Sequence, residues 1–437
     1  MTRALYSLLT MLLAPAAFAI TLLRGFRDRA YWAGAGERFG WGRRLEAPSL
    51  WLHAVSLGEV AASAELVRAL RARHPRSPFV LTTATPTGRA RAQSLFGDGV
   101  DVRYLPYDTP CAVRRFLGRI RPAVSIIMET ELWPTLILEC GRRGIPVVLA
   151  SARLTSRSVS RYRRIGGPFL DALASVTLIA AQTSGDAERF AAIGADRKRI
   201  QVVGNVKFDL RIDRPSGGEA GALSRAAFGG RRVWIAGSTH EGEEEQVLHA
   251  HAALRRVIPD ALLLLAPRHP QRFASVAALL KRLGTRFGRR SAADAVRAED
   301  EVLLVDTVGE LASLYAAADA AFVGGSLVPV GGHNLLEPAV LGVPVITGPH
   351  TANGREIARA LVECGGAVVV SDAQSLAEAV RRFLQDPGAG EQAGRAGRSL
   401  VEANRGTVAR LVELIDPVIR DPEPRPERAQ AGPSADG

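Results

Sequence analysis

Cysteine is nearly missing from this chain. Three occur in 437 residues, Cys111, Cys140 and Cys364, an odd number with no CxxC spacing. That argues against a disulfide framework and a zinc site and fits a reducing compartment. Lysine is as scarce: Lys198, Lys207 and Lys281 stand among 56 basic residues. The arginine bias carries no function by itself, but it draws attention to each lysine. Aromatics make up only 6%. GxxxxGK[ST], HExxH and GxSxG are all lacking, and no DxD stands where it would hold a metal beside a nucleotide sugar. These absences predict a metal-independent group transfer rather than a hydrolase or a kinase.

Positive charge is in excess, at +12 net, which favours an anionic partner: a membrane surface, a phosphorylated substrate or nucleic acid. Ala4 to Leu23 holds no charged side chain over 20 residues, and as a helix it reaches ~30 Å. Arg24, Arg27 and Arg29 follow, against Arg3 in front, so the bulk of the protein is expected on the cytoplasmic side. Ala17-Phe18-Ala19 imitates a signal-peptide cleavage site, but the apolar run is long and its flank weakly basic. Residues 1–25 are therefore read as an uncleaved anchor, spanning the bilayer or, because of Pro15, lying partly in the interface.

Beyond a basic, aromatic connector, apolar runs at 50–55, 79–83, 124–128, 146–150 and 176–181 read as strands, with helices near 59–72, 109–119 and 134–143. A second series begins at 233–236 and continues at 261–266, 302–305, 320–323, 343–347 and 367–370. Such alternation predicts α/β architecture: two doubly wound parallel sheets facing a cleft, with ligands beyond the carboxyl ends of the strands. The expected divisions are a first domain at 35–212, a Gly/Ser/Pro-rich linker at 213–230, a second domain at 231–420 and a disordered tail at 421–437.

Several strand ends carry candidate chemistry. FVGGSLVPVGGHNLLEPAVLGVPVITG (322–348) sets paired glycines before a helix expected near Asn334, with Glu337 about one turn in, a pattern suited to a phosphate and a sugar hydroxyl pair. WLHAVSLGEVAA (51–62) puts Glu59 in a first helical turn, as a dipole partner or a general base. IIMETELWPTL (126–136) offers Glu129, with Glu131 close behind. VVGNVKFD (202–209) presents Lys207, IAGSTHEGEE (235–244) presents Ser238, Thr239 and His240, and APRHPQRF (266–273) presents Arg268 and His269. DTVGELASLY (306–315) brings Gly309 and Glu310 to another helix start. Polar or Gly-rich strand ends converging on one sheet edge indicate a nucleotide pocket.

WLHAVSLGEV, LTTATPTG, YLPYD, METELWP, GNVKFD, AGSTHEGEE, PRHPQRF, GELASLY and GGHNLLEP, in this order, closely resemble the 3-deoxy-D-manno-oct-2-ulosonic acid (Kdo) transferase family from the anchor to about residue 410. The resemblance implies a GT-B fold of two Rossmann-like domains in an inner-membrane enzyme that adds Kdo to a lipid A precursor. It implies that CMP-Kdo binds through Pro267, Arg268 and His269, through Val308, Gly309 and Glu310, and through Asn334, Leu335, Leu336 and Glu337. It implies that Glu59 deprotonates the acceptor glucosamine hydroxyl, that Glu129 and Lys207 stabilise the transition state, and that transfer inverts the anomeric carbon without a metal. The phosphorylated, bilayer-borne acceptor accounts for the anchor and the basic charge, with an anionic membrane surface and no nucleic acid as partner. Ser151 departs from the pattern, which has Asn there.

Overall fold

The computed structural model describes residues 2–210, 228–292 and 296–419. The expected tail, and all of the expected linker but its last residues, lie outside these. The chain divides into two compact units, one of Met1–Asp209 with Gly406 onward, the other of Leu210–Arg405.

The first unit holds β1 (Ser49–His53), β2 (Phe79–Thr83), β3 (Asp101–Tyr104), β4 (Pro122–Met128), β5 (Val147–Ala152), β6 (Leu178–Ala181) and β7 (Ile200–Val202). They form one parallel sheet in the order β3-β2-β1-β4-β5-β6-β7. The central strands are covered on both faces, so their sequences are continuous rather than alternating apolar runs, and β1 and β5 are buried along their whole length. The second unit repeats the plan with β8 (Val233–Thr239), β9 (Leu262–Pro267), β10 (Phe287–Arg289), β11 (Val302–Leu304), β12 (Ala320–Val323), β13 (Val345–Thr347) and β14 (Ala367–Val369). Its order is β10-β11-β9-β8-β12-β13-β14, again parallel. Strand order reverses between β1 and β4 in the first sheet and between β8 and β12 in the second. At such switch points the loops diverge to opposite faces and leave a crevice for a ligand.

Every expected strand is present. The three that the apolar runs miss are edge strands, β3 with the sequence DVRY, β7 with IQV and β10 with FGR, whose partly exposed positions admit polar residues. The expected helix at 59–72 is two, Leu57–Ala62 and Ala64–Arg73, hinged at Ser63. The second domain was expected to run to 420, but the chain returns to the first unit at Gly406. The helix Thr407–Ile415 buries Val408, Leu411 and Ile415 in the same cluster as Leu66, Val67 and Leu70. Asp209 accepts the Gly406 N–H at 2.6 Å, and Asp416 pairs with Arg73 and His74.

The N-terminal helix Arg3–Gly25 is long and apolar enough to cross a membrane. Both of its ends touch the first unit. Tyr6 donates to Asp108 at 2.8 Å and meets Phe169 edge-on, while near the other end Phe18 packs on Phe39 and Thr21 lies 3.4 Å from the Tyr107 hydroxyl. Leu5, Leu8, Leu9, Leu12, Leu13 and Leu23 remain exposed.

Candidate active site

Both strands at the first switch point lead to a carboxylate, Glu59 in the helix after β1 and Glu129 directly after β4. After β1 the chain turns at Ser56, whose hydroxyl accepts the Glu59 N–H, and Glu59 reaches back to accept the Val55 N–H at 2.9 Å, a variant of the reciprocal helix cap. A cap alone would hold this carboxyl below its ordinary affinity for protons. Burial instead pushes it up to about 7, with the Glu129 and Glu131 charges adding to the rise while the Val55 N–H and Lys207 oppose it.

Glu129 follows β4 with φ 54°, a left-handed conformation that a non-glycine residue holds only when its surroundings impose it. Its N–H donates to the Ala150 carbonyl at 3.0 Å, and Thr130 donates to the Arg153 carbonyl. The carboxylate so aimed accepts from Lys207 Nζ at 2.9 Å, and neither partner is more than a quarter exposed. Lys207 is itself placed by a relay. Gln182 donates to the Ser151 carbonyl, Asn205 donates to Gln182, the Lys207 N–H donates to Asn205, and the Val206 N–H donates to the Ser151 hydroxyl. Glu59, Glu129 and Lys207 are therefore brought together. Glu131, also raised by burial, stands beside them without an ion pair among the described residues.

At the second switch point, β8 leads to Ser238, at φ 57°, and then to His240. β12 leads to the glycine pair, where a Cβ on Gly324 would meet the Ser238 carbonyl at 2.6 Å and one on Gly325 the His333 ring at 3.0 Å. Only glycine fits this close approach. Between the loops sits Glu243, fully buried, its carboxylate accepting the N–H groups of His240, Gly325, Ser326 and Leu327 at 2.7–2.9 Å. His240 and His333 consequently face each other, Nε2 to Nε2 at 2.8 Å.

Pro267 closes β9, and the Arg268 N–H donates to the Thr239 carbonyl at 2.9 Å, holding the Arg268–His269 turn against the β8 loop. His269 meets His240 edge-on at 5.3 Å. Among the described residues no carboxylate pairs with Arg268, whereas Arg272 is taken by Glu241 and Glu244. Asn334 precedes the short helix Leu336–Val340 and accepts the Leu336 N–H at 3.1 Å, and its amide donates to Glu337 at 3.2 Å. Leu335 and Leu336 are buried and serve packing. Val308 is 77% exposed, Gly309 has φ 95°, and Glu310 is held by Arg290 at 2.7 Å. The sequence reading passed over Glu243, His333 and Arg290. Glu243 and His333 both lie inside motifs that the sequence singles out, while Arg290 acts only through a tertiary contact.

Residues 33–210 match the family described as 3-Deoxy-D-manno-octulosonic-acid transferase (kdotransferase), and residues 231–400 match Glycosyl transferases group 1. A 3-deoxy-D-manno-octulosonic acid transferase of Haemophilus influenzae is 40% identical over 423 residues, covering 96% of this chain and 99% of the relative. A Bordetella pertussis protein of the same name is 37% identical over 430 residues, covering 95% and 99%. In fold, the chain is similar to UDP-GlcNAc 2-epimerase from Neisseria meningitidis, with a TM-score of 0.57 at 14% identity over 84% of this chain and 100% of that one.

Proposed function

The chain belongs to the 3-deoxy-D-manno-octulosonic acid transferase family, a family of GT-B glycosyltransferases, and from that premise we propose that it moves Kdo from CMP-Kdo to a glucosamine hydroxyl of a lipid A precursor. The observation that carries this reading is Glu59: a carboxyl pushed up to about 7, at a switch point, beside the Glu129–Lys207 pair. A base with that affinity for protons is half in its working form near neutral pH and still strong enough to take a proton.

In this reading the acceptor oxygen attacks the anomeric carbon of Kdo directly. A new C–O bond forms, the bond from that carbon to the CMP phosphate oxygen breaks, and the acceptor proton passes to Glu59. A single displacement inverts the anomeric centre. Negative charge grows on the departing phosphate, and we assign its stabilisation to Arg268 with His269 rather than to a metal ion; of Arg268 and Arg272, Arg268 is the one without a carboxylate partner among the described residues. Lys207, neutralised in part by Glu129, offers a cation to the Kdo carboxylate or the developing charge. The segments 308–310 and 334–337 hold the rest of the nucleotide.

We assign the chain to the cytoplasmic face of a bacterial inner membrane, with the helix Arg3–Gly25 lying in the interface. What supports an in-plane position is that Tyr6 and Thr21, near its two ends, both bond to the first unit while the leucines face outward. Anionic lipid then meets the basic protein surface.

The test is product analysis by mass spectrometry. Detergent-solubilised protein is given CMP-Kdo, generated in situ, and tetra-acylated lipid A precursor, with a chelator present and Glu59→Ala as control. A gain of one or more Kdo units, lost in the variant, is the expected result. No gain with CMP still bound refutes this acceptor, and a gain abolished by chelator refutes the metal-free route.

A further inference from the structure

We propose that His240 and His333 form a one-proton pair that receives the phosphate of the donor nucleotide and takes up a second proton when that phosphate binds. The proposal rests on the nucleotide reading above and adds a proton-linked subsite to it. Two ring nitrogens 2.8 Å apart, in planes within 8° of each other, share one hydrogen. Two bare nitrogens would repel, and two N–H groups would clash. One ring is therefore the Nε2–H donor with a bare outer Nδ1, and its partner is the acceptor with its hydrogen on Nδ1. A further proton has one place to go, the donor ring's outer nitrogen. There it leaves the Nε2–H···Nε2 link intact and turns it into a charge-assisted bond. The pair can thus switch from neutral to +1 without moving either loop.

The surroundings keep it neutral until an anion arrives. Burial lowers both rings, His333 to about 4, and the neighbouring Arg268 charge and His269 act in the same direction on each, joined at His240 by Arg272. Glu243 opposes this at His240, but its carboxylate is committed to four backbone N–H groups. A phosphate drawn to Arg268, which has no carboxylate partner among the described residues, reverses the balance of charge at both rings. In the transfer reaction the phosphate passes from one negative charge as a diester to two as CMP, so the pair becomes most favourable to protonation as the leaving group departs.

The experiment is calorimetric titration of the full-length protein with CMP at pH 7, in two buffers of different ionisation enthalpy, with cytidine as the phosphate-free control. Wild type should take up protons with CMP and none with cytidine. The sign is diagnostic, because a phosphate settling among cations sheds whatever proton it still carries, giving release. His333→Gln and, from the opposite loop, His240→Gln should abolish the uptake and weaken CMP about tenfold, the loss of one charge-assisted contact. CMP binding without uptake, or uptake unchanged in a folded variant of either histidine, overturns the pair and leaves the nucleotide site standing. Failure of wild type to bind CMP overturns the nucleotide reading itself, and the pair with it.

Discussion

Replacing Glu59 by glutamine removes a proton acceptor while keeping the side chain's length and an oxygen for the Val55 N–H, which lies 2.9 Å from the carboxylate. The fold has no reason to suffer, since the amide satisfies the same donor and carries no charge to desolvate. With the carboxyl pushed up to about 7, the working form is about half of the protein at pH 7, about nine-tenths at pH 8 and about a tenth at pH 6. The wild-type kcat/KM should therefore rise with pH through neutrality and fall about tenfold per unit below it. A positioned base contributes ~10²–10⁴ in rate, or ~2.7–5.4 kcal/mol of barrier, and Glu59→Gln should lose that factor in kcat. CMP affinity should stay within about twofold, because the residues proposed to hold the nucleotide all come from the other unit. Initial rates of product formation between pH 5.5 and 9, with a CMP titration of each protein, supply all three quantities. Turnover within about tenfold of wild type would refute the assignment. So would an acid limb near neutrality that survives in the variant, since it would then belong to another raised carboxyl such as Glu131.

Arg268→Ala should weaken CMP and raise the donor KM by about 10- to 100-fold, the loss of a charged hydrogen bond, with no change in melting temperature because no carboxylate among the described residues depends on it. Unaltered CMP affinity would exclude it from the phosphate site. Glu243→Gln leaves backbone N–H groups unsatisfied around a buried amide, at about 3 kcal/mol, and thermal unfolding should shift down by about 6–12 °C; an unshifted transition contradicts its role as the hub of the two loops. The pair Leu12→Glu with Leu13→Glu alters side chains that are 68% and 55% exposed. It should cut binding to anionic vesicles by about tenfold or more at constant thermal stability, and flotation that is unchanged would remove the helix face from the membrane.

Much of the fold is legible because a doubly covered parallel strand must be apolar throughout, as LLLLAP and VVLASA are, whereas edge strands such as DVRY escape the pattern. Glu59, Glu129, Lys207 and Arg268 stand out because polar residues at strand ends face the crevice of any doubly wound sheet. The Lys207–Glu129 contact spans 78 residues, and the His240–His333 contact spans 93. No local rule reports pairings of that separation. The departure at Ser151 has a physical sense visible only in the backbone. Its φ is 51°, in the left-handed region that Asn tolerates better than Ser, so the Asn expected there from the resemblance would answer a conformational demand.

The return of the chain at Gly406 also sets the order in which the protein can be finished. The first unit is built from two separated stretches, while the second is a single continuous segment lying between them in sequence. During synthesis the second unit has its entire chain outside the ribosome while the first still waits for the helix Thr407–Ile415 to cover Leu66, Val67 and Leu70. A premature stop just after residue 405 therefore spares the unit nearest to it in sequence and leaves an open core in the one made first.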